Sequence, residues 1–109
     1  MLASVTHNFD DSTSAGVPLG RSAAEVLAQT LRAVADPTRL QLLSMIADAP
    51  TGEVTVGDLA RTLGMTQPTI THHLRIMVTG GLLARDQRGR QVWHSIVENR
   101  KAAILDLLR

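Results

Sequence analysis

One stretch, residues 56–83 (VGDLARTLGMTQPTITHHLRIMVTGGLL), constrains the fold more than any other part of this chain. Val56, Leu59, Ala60 and Leu63 recur at i, i+3, i+4 and i+7, the apolar stripe of a short helix. Thr55 precedes the stripe and Asp58 comes three residues later, a Ser/Thr-x-x-acid arrangement that caps a helix start. Gly64 falls where a helix closes in the left-handed conformation. Thr66 then opens a second helix, with Pro68 in its first turn, where a missing N–H costs little. Ile70, Leu74 and Met77 share one face of that helix, which leaves Pro68, Thr71, His72 and Arg75 on the other. Two short helices about a tight Gly-containing turn describe a helix-turn-helix. The polar face of its second helix is the one expected to enter a DNA major groove.

The plainer reading of the same residues is a helical hairpin inside a small core. The residues after Gly81 favour DNA. The segment LLARDQRGRQVWHSI reads as two strands, residues 82–87 and 90–96, turning around Arg88 and Gly89. Arg85, Arg88 and Arg90 crowd this hairpin, and a basic hairpin directly after a reading helix is a wing. Charge is distributed accordingly. Net charge is only +1, yet residues 1–53 carry −3, residues 54–95 carry +3 and residues 96–109 carry +1. The positive share sits on the reading helix and wing, where a phosphate-binding surface requires it.

A chain of 109 residues supports one domain and is short enough to gain from oligomerisation. With no cysteine, disulfides, thiol redox sensing and thiolate metal sites are excluded. No run of eighteen apolar residues is present to span a membrane. The N-terminus lacks a charged-then-apolar signal pattern, so the expected compartment is the cytoplasm.

Residues 1–20 are polar and without periodicity, and read as a flexible tail; residues 21–109 form the expected DNA-binding and dimerisation domain. Ser22 and Glu25 offer a capping box for a first helix bearing Val26, Leu27, Leu31 and Val34. Asp36-Pro37 starts a second helix, apolar at Leu40, Leu43, Ile46 and Ala47. Residues 53–55 suit a very short strand against the wing, and residues 98–108 a last helix with Ile104, Leu105 and Leu108 on one side. The expected fold is therefore mainly α with a small β-hairpin, a winged helix-turn-helix.

The first and last helices hold more apolar residues than one face uses. Leu27, Leu31 and Val34 are expected on the helix-turn-helix, while Ala23, Val26 and Thr30, together with Leu107, remain for another surface. A two-fold dimer through these helices, burying Ala23, Val26, Leu27, Thr30, Leu105, Leu107 and Leu108, suits the function. Its two reading helices would lie about 34 Å apart, one turn of B-DNA, and address an inverted repeat.

The segments VADPTRLQLLSMIA, VGDLARTLGMTQPTITHHLRIMVTGGLL and RGRQVWHSI together resemble the ArsR/SmtB family of bacterial winged-helix repressors, over about residues 22–108. The resemblance implies a homodimer that represses transcription at a double-stranded DNA operator and releases it when an effector binds. Metal-sensing members often carry Glu-Leu-Cys-Val-Cys-Asp-Leu before the reading unit. Here the stretch is Glu53-Val54-Thr55-Val56-Gly57-Asp58-Leu59, with Thr55 and Gly57 in the cysteine places. Other members bind metals through Asp and His on the last helices. This region holds Glu98 and the cation Arg100, and no His-x-x-His or Glu-x-x-His precedes Arg109. No metal site and no cofactor are expected, which leaves a small organic effector or constitutive repression.

Of the histidines, His72 and His73 are adjacent on a helix, roughly 100° apart, and poorly placed to chelate one ion. His72 is expected to face DNA with Arg75, and His73 to hydrogen-bond locally. A catalytic reading of Ser95, His94 and Asp58 lacks a nucleophile elbow or oxyanion loop, so no enzyme is expected. The expected DNA contacts are Thr66, Gln67, Thr69, Thr71, His72, Arg75, Arg88 and Arg90. The alternative from another class is a winged-helix protein-interaction module that does not bind DNA.

Overall fold

In a computed structural model, residues 17–109 are described; most of the expected N-terminal tail lies outside them. Residues 17–20 are exposed and belong to no helix or strand. The elements then run α1 (Arg21–Val34), α2 (Pro37–Asp48), β1 (Glu53–Thr55), α3 (Val56–Leu63), α4 (Gln67–Thr79), β2 (Leu83–Arg88) and β3 (Gln91–Ile96). A 3-10 turn (Glu98–Arg100) leads into α5 (Lys101–Leu108). This is the winged helix-turn-helix expected from the sequence.

The three strands form an antiparallel sheet in the order β1-β3-β2. Leu83 pairs with Ile96 and Arg88 with Gln91, leaving Gly89 and Arg90 as the two turn residues, one position beyond the expected turn. Gly89 has φ 61°, and a two-residue hairpin with positive φ at its first turn position favours Gly there. β1 adds to the other side of β3, with Glu53 opposite Ser95 and Thr55 opposite Trp93.

The core lies where α2, α3 and α4 meet the sheet. Leu42, Leu43, Ile46, Leu59, Ile70, Leu74, Met77 and Leu82 are fully buried. Each such side chain removed from water contributes about 1.5–3 kcal/mol before entropy is counted. Ile70, Leu74 and Met77 are the expected core face of α4. In α2 the expected stripe is shifted: Leu42 is buried and Leu40 exposed. Asp36 caps this helix by accepting from Arg39 N at 3.0 Å, as expected, and the phase so set aims Leu42 and Leu43 inward.

α1 departs further from expectation. It begins two residues earlier, with Gly20 at the N-cap and no side-chain cap, and Arg21 Nε holds Glu25 at 3.1 Å in place of the expected Ser22–Glu25 box. Leu27 and Leu31, expected on the helix-turn-helix, are exposed, whereas Ala33 and Val34 are buried. Thr30, expected at a subunit interface, is turned inward. Its hydroxyl donates to Gly80 O at 3.4 Å and accepts from Arg100 Nη1 at 3.3 Å. Gly80 explains the close approach, since a β-carbon there would lie 2.7 Å from that of Ala33. On α5 only Ile104 is buried. Leu108 packs at the margin of the core, leaving Leu105 and Leu107 exposed.

Candidate nucleic-acid interface

The reading unit is built by local hydrogen bonds. Thr55 Oγ1 accepts from Asp58 N at 3.2 Å and starts α3. Gly64, at φ 67°, ends it in the left-handed conformation, its N–H directed to Ala60 O and Arg61 O. Thr66 Oγ1 then accepts from Thr69 N at 3.4 Å, and the two hydroxyls lie 2.9 Å apart. Thr66 and Thr69 are therefore partly engaged in capping α4. Both remain exposed, as do Gln67, His72 and Arg75, while Thr71 is half-buried.

An open groove of about 290 Å³ runs between α3, α4 and the wing. Gln67, Thr71 and Arg90 line it as parts of the expected reading surface, together with Gly57 and Arg61. A β-carbon on Gly57 would stand in ordinary contact with Gln67 Nε2, at 3.7 Å, and with Arg61 Nη1, at 3.8 Å. Arg61, which sequence reasoning passed over, is exposed and paired with Asp58. Its signal was the acid–base pair at i, i+3 on the solvent face of α3.

The wing arginines have different surroundings. Arg88 does not stand free for phosphate, as the sequence reading expected. Its Nη1 and Nη2 donate to Glu53 at 3.0 and 2.7 Å, and its Nε donates to Asp86 Oδ2 at 2.8 Å. Its guanidinium lies 5.0 Å from the Trp93 ring centroid. The hydrogen bonds to Glu53 and then Asp86 push its pKa still higher than an arginine's ordinary value. Two carboxylates thus offset this charge on the exposed surface of the sheet. Arg85 makes only a 3.4 Å bond to Gln87, and Arg90 has no ion pair among the described residues. Arg75, Arg85 and Arg90 are consequently the available cations of α4 and the wing.

The histidines also separate. His72 is exposed beside Arg75. His73 is half-buried: Arg39 Nη1 lies 3.4 Å from its Nδ1, and Asp36 Oδ2 lies 3.9 Å from the same atom. Arg39 Nε also donates to Ala33 O at 2.8 Å, joining α1, α2 and α4. His94 is buried in β3, between Val54 and Arg85 on the neighbouring strands. Among the described residues no cluster of three or more His, Cys, Asp or Glu is placed to hold a metal, and no helix is long and apolar enough to cross a membrane.

Residues 36–85 match the family described as bacterial regulatory protein, arsR family. The chain is 34% identical over 100 residues to the HTH-type transcriptional regulator NmtR of Mycobacterium tuberculosis, covering 92% of this chain and 81% of that protein. It is 29% identical to the transcriptional repressor SdpR of Bacillus subtilis, over 60% of this chain and 69% of the relative. In three dimensions it is similar to the homodimeric winged helix-turn-helix DNA-binding domain of a possible ArsR-family regulator from Mycobacterium bovis. That match has a TM-score of 0.71 at 25% identity, over 79% of this chain and 78% of the other.

Proposed function

This chain belongs to the ArsR family of DNA-binding transcriptional regulators, which are not enzymes, and from that premise we propose that it is a homodimeric repressor of an inverted-repeat operator. The observation that carries this reading is the exposed face of α4. Gln67, Thr69 and His72 stand clear of the core, with Thr71 at its edge and Arg75, Arg85 and Arg90 around them. Side chains of this kind on a helix read base edges, while arginines beside them hold the backbone in register. In this reading Gln67 and His72 meet bases, Thr66 and Thr69 meet nearby phosphates, and Arg90 grips the backbone beyond the groove.

The dimer supplies the second half-site. Val26 and Leu107 are 56% and 55% exposed in the single chain, and Ala23, Leu27 and Leu105 are at least partly exposed on the same two helices. Apolar side chains so exposed on two helices suit an interface between two copies, and the similar M. bovis domain is homodimeric. Thr30 and Leu108 are left out of that surface, because the first bonds Gly80 and the second packs on the core. The operator is double-stranded DNA in the cytoplasm. Selection from a pool of random duplexes tests the reading: it should enrich an inverted repeat whose half-sites are centred about one helical turn apart. Enrichment of no sequence, or of a single half-site, contradicts it.

A further inference from the structure

Between α4 and the wing lies a second cleft, of about 150 Å³. Val56, Val78 and Val92 give its lining an apolar part. Thr71 and Arg75 from α4, Arg85 from β2 and His94 from β3 line it as well, and none of the lining residues is acidic. His94 is only 4% exposed, yet its Nδ1 has no hydrogen-bond partner among the described residues. Buried polar atoms are nearly always paired, so this orphan, in a residue that lines the cleft, marks a place where a further group would complete the set. Arg85 sits directly opposite His94 on the adjacent strand, and cross-strand partners share a face of the sheet. Burial, with Arg85 nearby, holds the His94 imidazole below its ordinary range, so at neutral pH it offers a hydrogen bond and no charge. The two arginines supply the charge.

We propose that this cleft binds a small carboxylate with a short apolar body, its anion held by Arg75 and Arg85 and hydrogen-bonded at His94 Nδ1. The cleft is well below the roughly 300–1,000 Å³ of drug-sized sites, which limits the ligand to a compact acid. The valines in the lining select against bare phosphate, including a phosphate of DNA, which has no apolar body to set against them. Arg75 cannot hold this carboxylate and a DNA phosphate at once, so an occupied cleft opposes DNA binding. That consequence rests on the function proposed above; the binding itself does not.

The test titrates the full chain, without DNA, with benzoate, 3-methylbutanoate and inorganic phosphate, following the carbon-bound ring protons of His94 by NMR. Saturable shifts are expected for the carboxylates, with phosphate weaker. Arg85→Gln, at an exposed position that leaves the core untouched, should weaken carboxylate binding about tenfold, the worth of one charged hydrogen bond. His94→Gln should weaken it as well, read by calorimetry. Shifts that never saturate, or an Arg85→Gln variant of unchanged affinity, overturn the site. Phosphate binding as tight as benzoate overturns the carboxylate assignment and gives the cleft to the DNA backbone. A second arm adds benzoate to the protein–duplex complex, where displacement is expected; saturation without displacement overturns the antagonism while the site stands.

Discussion

Ala33 and Gly80 touch so closely that a β-carbon on Gly80 would lie 2.7 Å from that of Ala33. α1 bears part of the proposed dimer surface and Gly80 closes the reading helix, so this contact sets the angle between them. Gly80 has φ −76°, which any residue adopts, so the constraint is steric alone. Gly80→Ala should therefore push α1 away, lower stability by about 1–3 kcal/mol and weaken operator binding. Chemical denaturation and duplex titration of the variant check both effects; unchanged values would mean that α1 is free to shift.

The clasp on Arg88 separates the roles of the wing arginines. Arg90→Ala should flatten the dependence of log affinity on log salt by about one unit, as the loss of one phosphate contact does. Arg88→Ala should change that slope less and lower the melting temperature, because Glu53 and Asp86 lose their shared partner. A full unit of slope lost from Arg88→Ala at an unchanged melting temperature would mean that its guanidinium leaves the clasp for DNA.

Val26→Asp and Leu107→Asp each place a charge on side chains already exposed in the single chain. The secondary structure should persist while sedimentation shows monomers, and operator affinity should fall together with dimerisation. A monomer that binds the inverted repeat with full affinity would uncouple the two.

His94 gives stability a pH dependence of definite sign. Its imidazole is held below the ordinary value of 6.5 by burial and then by Arg85. As pH falls from that value toward the lower folded value, the unfolded chain takes up the proton first, so stability falls through this window and levels off beneath it. Asp36, held below 3.8 chiefly by the Arg39 backbone N–H, loses its contribution only in stronger acid. Melting curves from about pH 7.5 to about pH 5 should show the histidine effect, and His94→Gln should remove most of it. An equal slope in that variant would assign the effect to another group.

The helix-turn-helix was legible because its determinants are local. Thr55, Gly64 and Thr66 cap or end helices through bonds to residues at most four away, and Ile70, Leu74 and Met77 repeat with the helix. What stayed hidden depends on partners far along the chain. Leu27 and Leu31 have helical spacing, yet the spacing does not say what they face. Ala33 is buried in their stead because Gly80, 47 positions on, admits it. Arg88 looked free until Glu53, 35 residues earlier, was brought beside it by the pairing of β1 with β3. Strand alternation likewise placed His94 apart from Trp93 without revealing that its Nδ1 would be buried and unpaired.

Whether α4 and the wing present a DNA-reading surface is decided by a salt titration of binding to the enriched inverted-repeat duplex. Log affinity should fall linearly with log salt, from contacts by Arg75, Arg85 and Arg90 of each subunit, while the repeat keeps its advantage over scrambled duplex. Absence of affinity for any duplex, even at low salt, would contradict it and make the chain a winged-helix interaction module.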